Sequence, residues 1–165
     1  MPVRLRDIRP DDKAALVAFH ARLSDDTRYR RYHAMKGDLT KGDLRYLTEV
    51  DGRSHVALVA FDGDHPDELL GVARAVADAT RPGEGELAIV VRDDQQGTGL
   101  GAILVEGLLR RVADEGLEQV RAEVQADNHR AMRFFQGFGA RQRAGADAVR
   151  RLIIPARGPE EQQEL

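Results

Sequence analysis

Residues 3–8 alternate apolar and polar side chains (Val-Arg-Leu-Arg-Asp-Ile), the period-two pattern of a strand with one exposed face. The period then lengthens. After Pro10, the residues Leu16, Phe19, His20 and Leu23 recur at i, i+3, i+4 and i+7, one face of a helix that Asp11 can cap. Ser24 begins a second short helical stretch carrying Arg28-Tyr29-Arg30-Arg31-Tyr32. Thr40 with Asp43 three positions on resembles a capping box for a third, through Leu44 and Leu47. The middle of the chain reads differently: His55–Asp62, Leu69–Ala77 and Glu86–Val91 are short apolar, β-branched runs, parted by the turn-rich pieces 62–67 and 80–85. No helix fits between them, so an antiparallel meander is expected. A helix with Leu100, Ile103, Leu104, Leu108 and Val112 on one face follows, closed by Gly116. Val120–Gln125 reads as a strand, Asn128 opens a further helix through Ala131, Met132 and Phe135, and Val149–Ile154 reads as the last strand. One strand–helix–strand crossover late in an otherwise antiparallel order predicts an α/β (α+β) class, with a mixed, mostly antiparallel sheet and helices on both faces. Residues 1–154 are expected to form one domain, and the Pro/Glu/Gln-rich residues 155–165 a disordered tail.

Composition narrows the chemistry more than the fold. At 165 residues, with 42% hydrophobic and 32% charged residues, the chain suits a single packed domain and not a disordered one. The longest strictly apolar run, Val56 to Phe61, is six residues, against about 20 for a membrane span. The opening MPVRLRDIRP has no apolar stretch behind its charges, so no signal peptide is expected. The absence of cysteine excludes a disulfide scaffold, a thiolate nucleophile and a Cys-ligated zinc. The five histidines, His20, His33, His55, His65 and His129, show no ligand spacing, and no metal site is expected. A net charge of −3 gives no general attraction to nucleic acid or to an anionic membrane. The expectation is a cytoplasmic protein, monomer or homodimer, without nucleic-acid or membrane partners.

One segment stands out. Gln96-Gly97-Thr98-Gly99-Leu100-Gly101-Ala102 lies between an apolar strand and an amphipathic helix. Small residues there let backbone N–H groups approach an anion, and a helix N-terminus adds roughly half a positive charge, so pyrophosphate is a natural guest. The plain alternative is a flexible strand-to-helix turn. A Walker A loop needs Gly-Lys-Ser/Thr, but the only lysines are Lys13, Lys36 and Lys41. The dinucleotide fingerprint is met in letters by Gly97, Gly99 and Ala102, with Glu118 or Glu123 at ribose distance. However, residues 92–96 separate its strand from the first glycine, and it follows a meander late in the chain.

The pattern Gln96-x-x-Gly99-x-Gly101 resembles the Q/R-x-x-G-x-G/A acyl-CoA loop of the GCN5-related N-acetyltransferases, the GNAT superfamily. The element order is also similar, over residues 3–154. Asn128-x-x-Ala131 resembles that family's N-x-x-A segment. Glu86-Leu-Ala-Ile-Val-Val with Asp94-x-Gln96-Gly97-x-Gly99 resembles the bacterial Pat-type protein lysine acetyltransferases, as do Phe19-His20-Ala21-Arg22-Leu23-Ser24 and Arg28-Tyr29. The resemblance implies a GNAT fold with acetyl-CoA as co-substrate. It implies a pantetheine arm pairing with the backbone of Ile89, Val90 and Val91, and a pyrophosphate held by N–H groups from Gln96 to Ala102. Arg92 would assist from the strand end, and Asn128 would touch the CoA arm. Pat-type proteins often carry a further regulatory domain; at 165 residues, regulation by such a fused domain is not expected here.

Acetyl transfer to an amine needs the neutral amine, and a lysine of pKa about 10.4 is roughly one-thousandth neutral at pH 7. Glu86, which begins an apolar strand and shares a face with Ala88 and Val90, is the candidate general base, matching the Glu regarded as the base in the Pat-type enzymes. The alternative is a strand-end carboxylate reaching solvent. Glu123 is a second acid, read as a salt-bridge partner more than as an acceptor-site residue. Many GNAT enzymes place a Tyr about seven residues after the Asn to protonate the departing thiolate; here that place is Phe135, which has no proton to give. A thiol pKa of about 8.5 lets the thiolate leave unaided, and Tyr29, Tyr32 or water are substitutes. Phe135 is expected against the pantetheine end of the cofactor or in the core. The resulting expectation is acetyl transfer to a primary amine, preferably a protein lysine. The alternatives are a small amine (polyamine, amino acid or antibiotic) and a non-catalytic acyl-CoA-binding module.

Overall fold

The computed structural model describes residues 2–24, 39–145 and 147–157. Along the chain lie β1 (Val3–Asp7), α1 (Lys13–Ala21), α2 (Lys41–Thr48), β2 (His55–Asp62), β3 (His65–Ala77), β4 (Glu84–Val91), α3 (Leu100–Asp114), β5 (Gln119–Gln125), α4 (His129–Gln136), β6 (Arg141–Arg143) and β7 (Val149–Pro155). The strands run in the order β1-β2-β3-β4-β5-β7-β6. β1 and β2, β5 and β7, and β6 and β7 pair antiparallel, while β4 and β5 pair parallel across the α3 crossover. That parallel register covers only Glu84–Glu86 against Gln119–Arg121.

Most expected elements are present, with informative differences. A 3-10 turn at Pro10–Asp12 precedes α1, whose N-cap position is Asp12, not Asp11; the Asp12 side chain closes the turn and does not cap the helix, Oδ2 accepting from the Arg9 N–H at 2.7 Å while Arg6 holds both oxygens. The Thr40 box closes as expected, Thr40 Oγ1 accepting from the Asp43 N–H and Asp43 Oδ2 from the Thr40 N–H. β3 starts at His65 instead of Leu69, taking in residues expected in a turn, and β4 starts at Glu84 instead of Glu86. β6 was not expected at all. Pro155, assigned to the tail, pairs with Gln119, and Ala156 is buried. The segment carrying Arg28, Tyr29 and Tyr32 and the residues from 158 onward lie outside the described residues.

Contacts divide the chain into two compact units, residues 1–74 with 88–108 and residues 75–87 with 109–165. The first unit's core joins Ile8, Leu16, Phe19, Leu47, Val59 and Val72. Within it, Arg74 is buried and its Nη1 donates to the Leu47 carbonyl and to His55 Nε2 at 2.9 Å. A guanidinium only donates, so His55 Nε2 accepts and the neutral imidazole carries its proton on Nδ1. The second unit buries Val120, Ala122 and Val124, alternate positions of β5, with the consecutive Leu152, Ile153 and Ile154 of β7. Among the described residues no helix is long and apolar enough to cross a membrane.

Candidate functional site

The apolar strand β4 runs into Arg92, a 3-10 turn at Asp93–Gln95, and then the glycine loop. Gly97 has φ +80° and Gly99 φ +89°, left-handed backbone that a Cβ disfavours, so the loop's shape depends on these two residues. α3 begins at Leu100, and its first N–H groups have no helical partner. Among the described residues the N–H groups of Gly97, Thr98, Gly99, Leu100, Gly101 and Ala102 meet no acceptor, while Ile103 already donates to the Gly99 carbonyl. The Gln96 N–H is different: it donates to the Asp93 carbonyl, so the expected row of free donors starts one residue later. The Gln96 side chain also turns back, Nε2 donating to the Val91 carbonyl at 3.2 Å. The Thr98 hydroxyl donates to the Gln95 carbonyl. The result is a cradle of backbone donors of the kind that binds phosphate at a helix start.

Arg92 does not reach out to this cradle as the sequence suggested. It is 6% exposed; Nε and Nη2 fork onto Asp94 and Nη1 donates to Glu68. These two carboxylates hold its pKa above the ordinary arginine value, Asp94 contributing most. Along β4, Ala88 and Val90 open onto a small pocket of about 20 Å³ that they share with Phe19, His20, Leu47 and Arg74, room for about one water.

In the second unit, Glu86 is an exposed carboxylate at 56% side-chain accessibility, with Arg121 Nη2 at 3.7 Å from its Oε2. Two residues earlier on the same strand, Glu84 is 2% exposed and takes hydrogen bonds from Arg121, Arg143 and Gln119. Arg143, then Gln119 and Arg121, favour its charged form over the cost of burial and hold its pKa at about 2, against an ordinary 4.5. Arg121 also bonds Asp78, and its Nε is buried without a hydrogen-bond partner, 3.6 Å from Glu123 Oε1. Glu123, flanked as well by Arg151 at 4.0 Å, has the ionic surroundings its salt-bridge reading implies. Sequence reasoning missed Glu84 and Arg121. A buried acid at a strand start beside a Pro-Gly turn carries no local signal.

The buried Glu84 network makes a stability prediction. Because Glu84's pKa is depressed on folding, its contribution is complete above pH 4.5 and is lost as pH falls toward about 2. Glu84→Gln is expected to cost about 3 kcal/mol at pH 7, a fall in Tm of roughly 6–12 °C. The gap between parent and variant should narrow on acidification through that window. Melting curves from pH 7 to pH 2 check both points, and a gap constant with pH rules the account out.

Asn128 and Phe135 lie on the second unit's α4. Asn128 caps the helix, Oδ1 accepting from the Ala131 N–H at 3.2 Å. Phe135 is 5% exposed, its ring centroid 5.1 Å from that of Phe134, whose ring also meets Phe138 edge-on. One ligand-like cluster went unnoticed in the sequence: Asp62, His65 and Glu68 bring one donor atom each within 4.8 Å of one another. Both carboxylates already have partners, Glu68 in Arg22 and Arg92, and Asp62 in the Asp64 N–H and the His65 ring.

The profile of the acetyltransferase (GNAT) family matches residues 16–140. The chain is 29% identical over 136 residues to the acetyltransferase Pat of Mycolicibacterium smegmatis, covering 82% of this chain and 40% of that protein. It is 33% identical over 118 residues to the mycothiol acetyltransferase of Kocuria rhizophila, covering 65% of this chain and 37% of that protein. The chain therefore spans less than half the length of these two relatives. The crystal structure of the GNAT domain of S. lividans PAT aligns with a TM-score of 0.84 at 28% identity, over 93% of this chain and 90% of that domain.

Proposed function

Because the chain belongs to the acetyltransferase (GNAT) family and has its mixed, mostly antiparallel fold, we propose that it moves an acetyl group from acetyl-CoA to a primary amine, with a protein lysine as the preferred acceptor. The observation that carries this reading is the row of unclaimed N–H donors from Gly97 to Ala102 at the start of α3. A pyrophosphate seated there receives several backbone hydrogen bonds and the helix's positive end, without a basic side chain. Val91, Val90 and Ile89 lie just before this cradle, beyond the point where the β4–β5 register ends, and their backbone is assigned to the pantetheine arm. Asn128, already the cap of α4, is assigned to the CoA arm.

The reaction follows as direct attack. The amine nitrogen bonds to the thioester carbon, the tetrahedral oxyanion collapses, and the C–S bond breaks to release CoA thiolate. Glu86 removes the proton that the amine must lose, directly or through one ordered water. Its exposure suits a base that meets an acceptor arriving from solvent. The thiolate leaves without a phenol, since Phe135 is apolar and buried.

A protein lysine is preferred on the likeness to Pat. The likeness to a mycothiol acetyltransferase keeps a small-molecule amine as the second reading. Incubation with labelled acetyl-CoA, a lysine-peptide array and a panel of small amines separates the two. Label in peptides at rates above the small amines supports the first; label in small amines alone overturns it. Phe135→Leu tests the thiolate step: it is expected to cost about 1–2 kcal/mol of stability, as core truncations of this size do, yet to retain measurable turnover. Complete loss of turnover in a folded, CoA-binding variant would show the ring acting in the chemistry.

A further inference from the structure

The cradle of backbone donors is as good as its placement. Residues 96–102 contain no lysine or arginine, so the loop has no cation of its own to compensate for a donor that points the wrong way. Binding by such a loop depends on its being held in the bound shape beforehand.

We propose that Arg92 is the positioning residue for this loop, holding it through Asp94 and Glu68 while making no contact with the cofactor; this rests on the reading of Gly97–Ala102 as the pyrophosphate cradle. Arg92 is the last residue before the 3-10 turn, and its backbone is pinned on both sides, the N–H donating to the Leu70 carbonyl and the carbonyl accepting from the Gln95 N–H at 2.8 Å. Its side chain then forks back onto Asp94, two residues ahead, at 2.6 and 2.9 Å, closing the turn from outside. Nη1 reaches Glu68 of β3 at 2.9 Å, tying the turn to the sheet. The same Glu68 oxygen accepts from Arg22 just after α1, and the neighbouring Asp93 accepts from the Ser24 N–H. The turn that delivers Gln96 to Gly97 is thereby held from β3 and from the end of α1, all within the first unit. A buried guanidinium with each nitrogen engaged is rigid, since moving it would strand charges away from water. Bidentate geometry also sets direction, which a single hydrogen bond does not.

The test uses acetyl-CoA as the probe, with calorimetric affinity and thermal melting measured on the same preparations of the full chain. Asp94→Ala leaves the Arg92 guanidinium buried without its main partner, and is expected to lower both Tm and acetyl-CoA affinity, the latter about tenfold. Arg92→Met removes the fork from the other side and is expected to weaken acetyl-CoA by a similar factor. The double variant Arg92→Met/Asp94→Ala removes the stranded charge together with its partner. It is expected to recover much of the lost Tm while acetyl-CoA affinity stays about tenfold low, because nothing holds the turn. A merely structural role makes affinity follow Tm back up, and that result overturns the proposal. So does unchanged affinity in any folded variant lacking the fork. Where Asp94→Ala does not yield folded protein, Asp94→Asn takes its place in the same comparison. Gly99→Asp separates the two ideas: its losing acetyl-CoA while the Arg92 variants keep it removes only the role of Arg92, and its keeping acetyl-CoA removes the cradle itself.

Discussion

Glu86→Gln is expected to bind acetyl-CoA as the parent does and to turn over about 10²- to 10⁴-fold more slowly at neutral pH, the usual worth of a general base, or roughly 3–5 kcal/mol in the barrier. The substitution keeps shape and hydrogen-bonding capacity and removes the basic lone pair. Its cost in stability should be small, because the side chain is 56% exposed and its ionic neighbour Arg121 retains Glu84 and Asp78 at hydrogen-bonding distance. The informative axis is pH. As pH rises toward the acceptor amine's own pKa, about 10.4 for a lysine, the amine supplies its free form unaided and the variant's deficit should shrink. Near-normal rates at every pH would return Glu86 to a solvent-facing strand end. A raised acceptor KM with unchanged kcat would make it a binding group instead. Either profile moves the search for a base to Glu123.

Gly99→Asp is expected to lose acetyl-CoA binding on the order of 100-fold or more, about 3 kcal/mol. Two effects combine. At φ +89° any side chain strains the backbone, about 1–2 kcal/mol for a non-glycine residue in left-handed geometry. The added carboxylate also brings negative charge to the point where N–H donors face the pyrophosphate. No neighbour lies within 4 Å of a Cβ built there, so the fold itself has room for the change. Gly99→Ala carries the strain without the charge and should lose far less. Calorimetry on both variants reads the difference, and unchanged affinity in Gly99→Asp would end the assignment of the cradle.

Local pattern carried much of the fold. The pattern predicts β2 to its observed ends, because His55–Asp62 is an apolar run bounded by turn residues on both sides. The Thr40–Asp43 box was legible because both partners lie within one helical turn. β6 was not: Arg-Gln-Arg has no apolar face, and it is a strand because β7 lies beside it to accept its ladder. The early start of β3 has a similar origin, since His65-Pro66-Asp67-Glu68 is turn-like in composition but continues the strand next to β2. Arg92 shows the limit for the site. Next to a phosphate-type loop it reads as a phosphate ligand, and only the folded chain supplies the carboxylate of Glu68, 24 positions away, that engages it.

By itself, the sequence determined the features whose causes are local: glycines where φ must be positive, an apolar strand leading to them, a helix starting at Leu100, and a loop without lysine or arginine. Those features lay out the row of backbone donors at the start of α3, while the turn before it is held by tertiary partners, Arg92 engaging Asp94 and the distant Glu68. The tertiary structure decided which charges meet. With 25 basic and 28 acidic residues, many pairings are equal on paper. Arg121 and Arg143 reach Glu84 across 37 and 59 positions, and Arg92 reaches Glu68, only once the strands are in register. Alternation along a strand tells which face a side chain takes, whereas its neighbour on that face is set by the strand beside it.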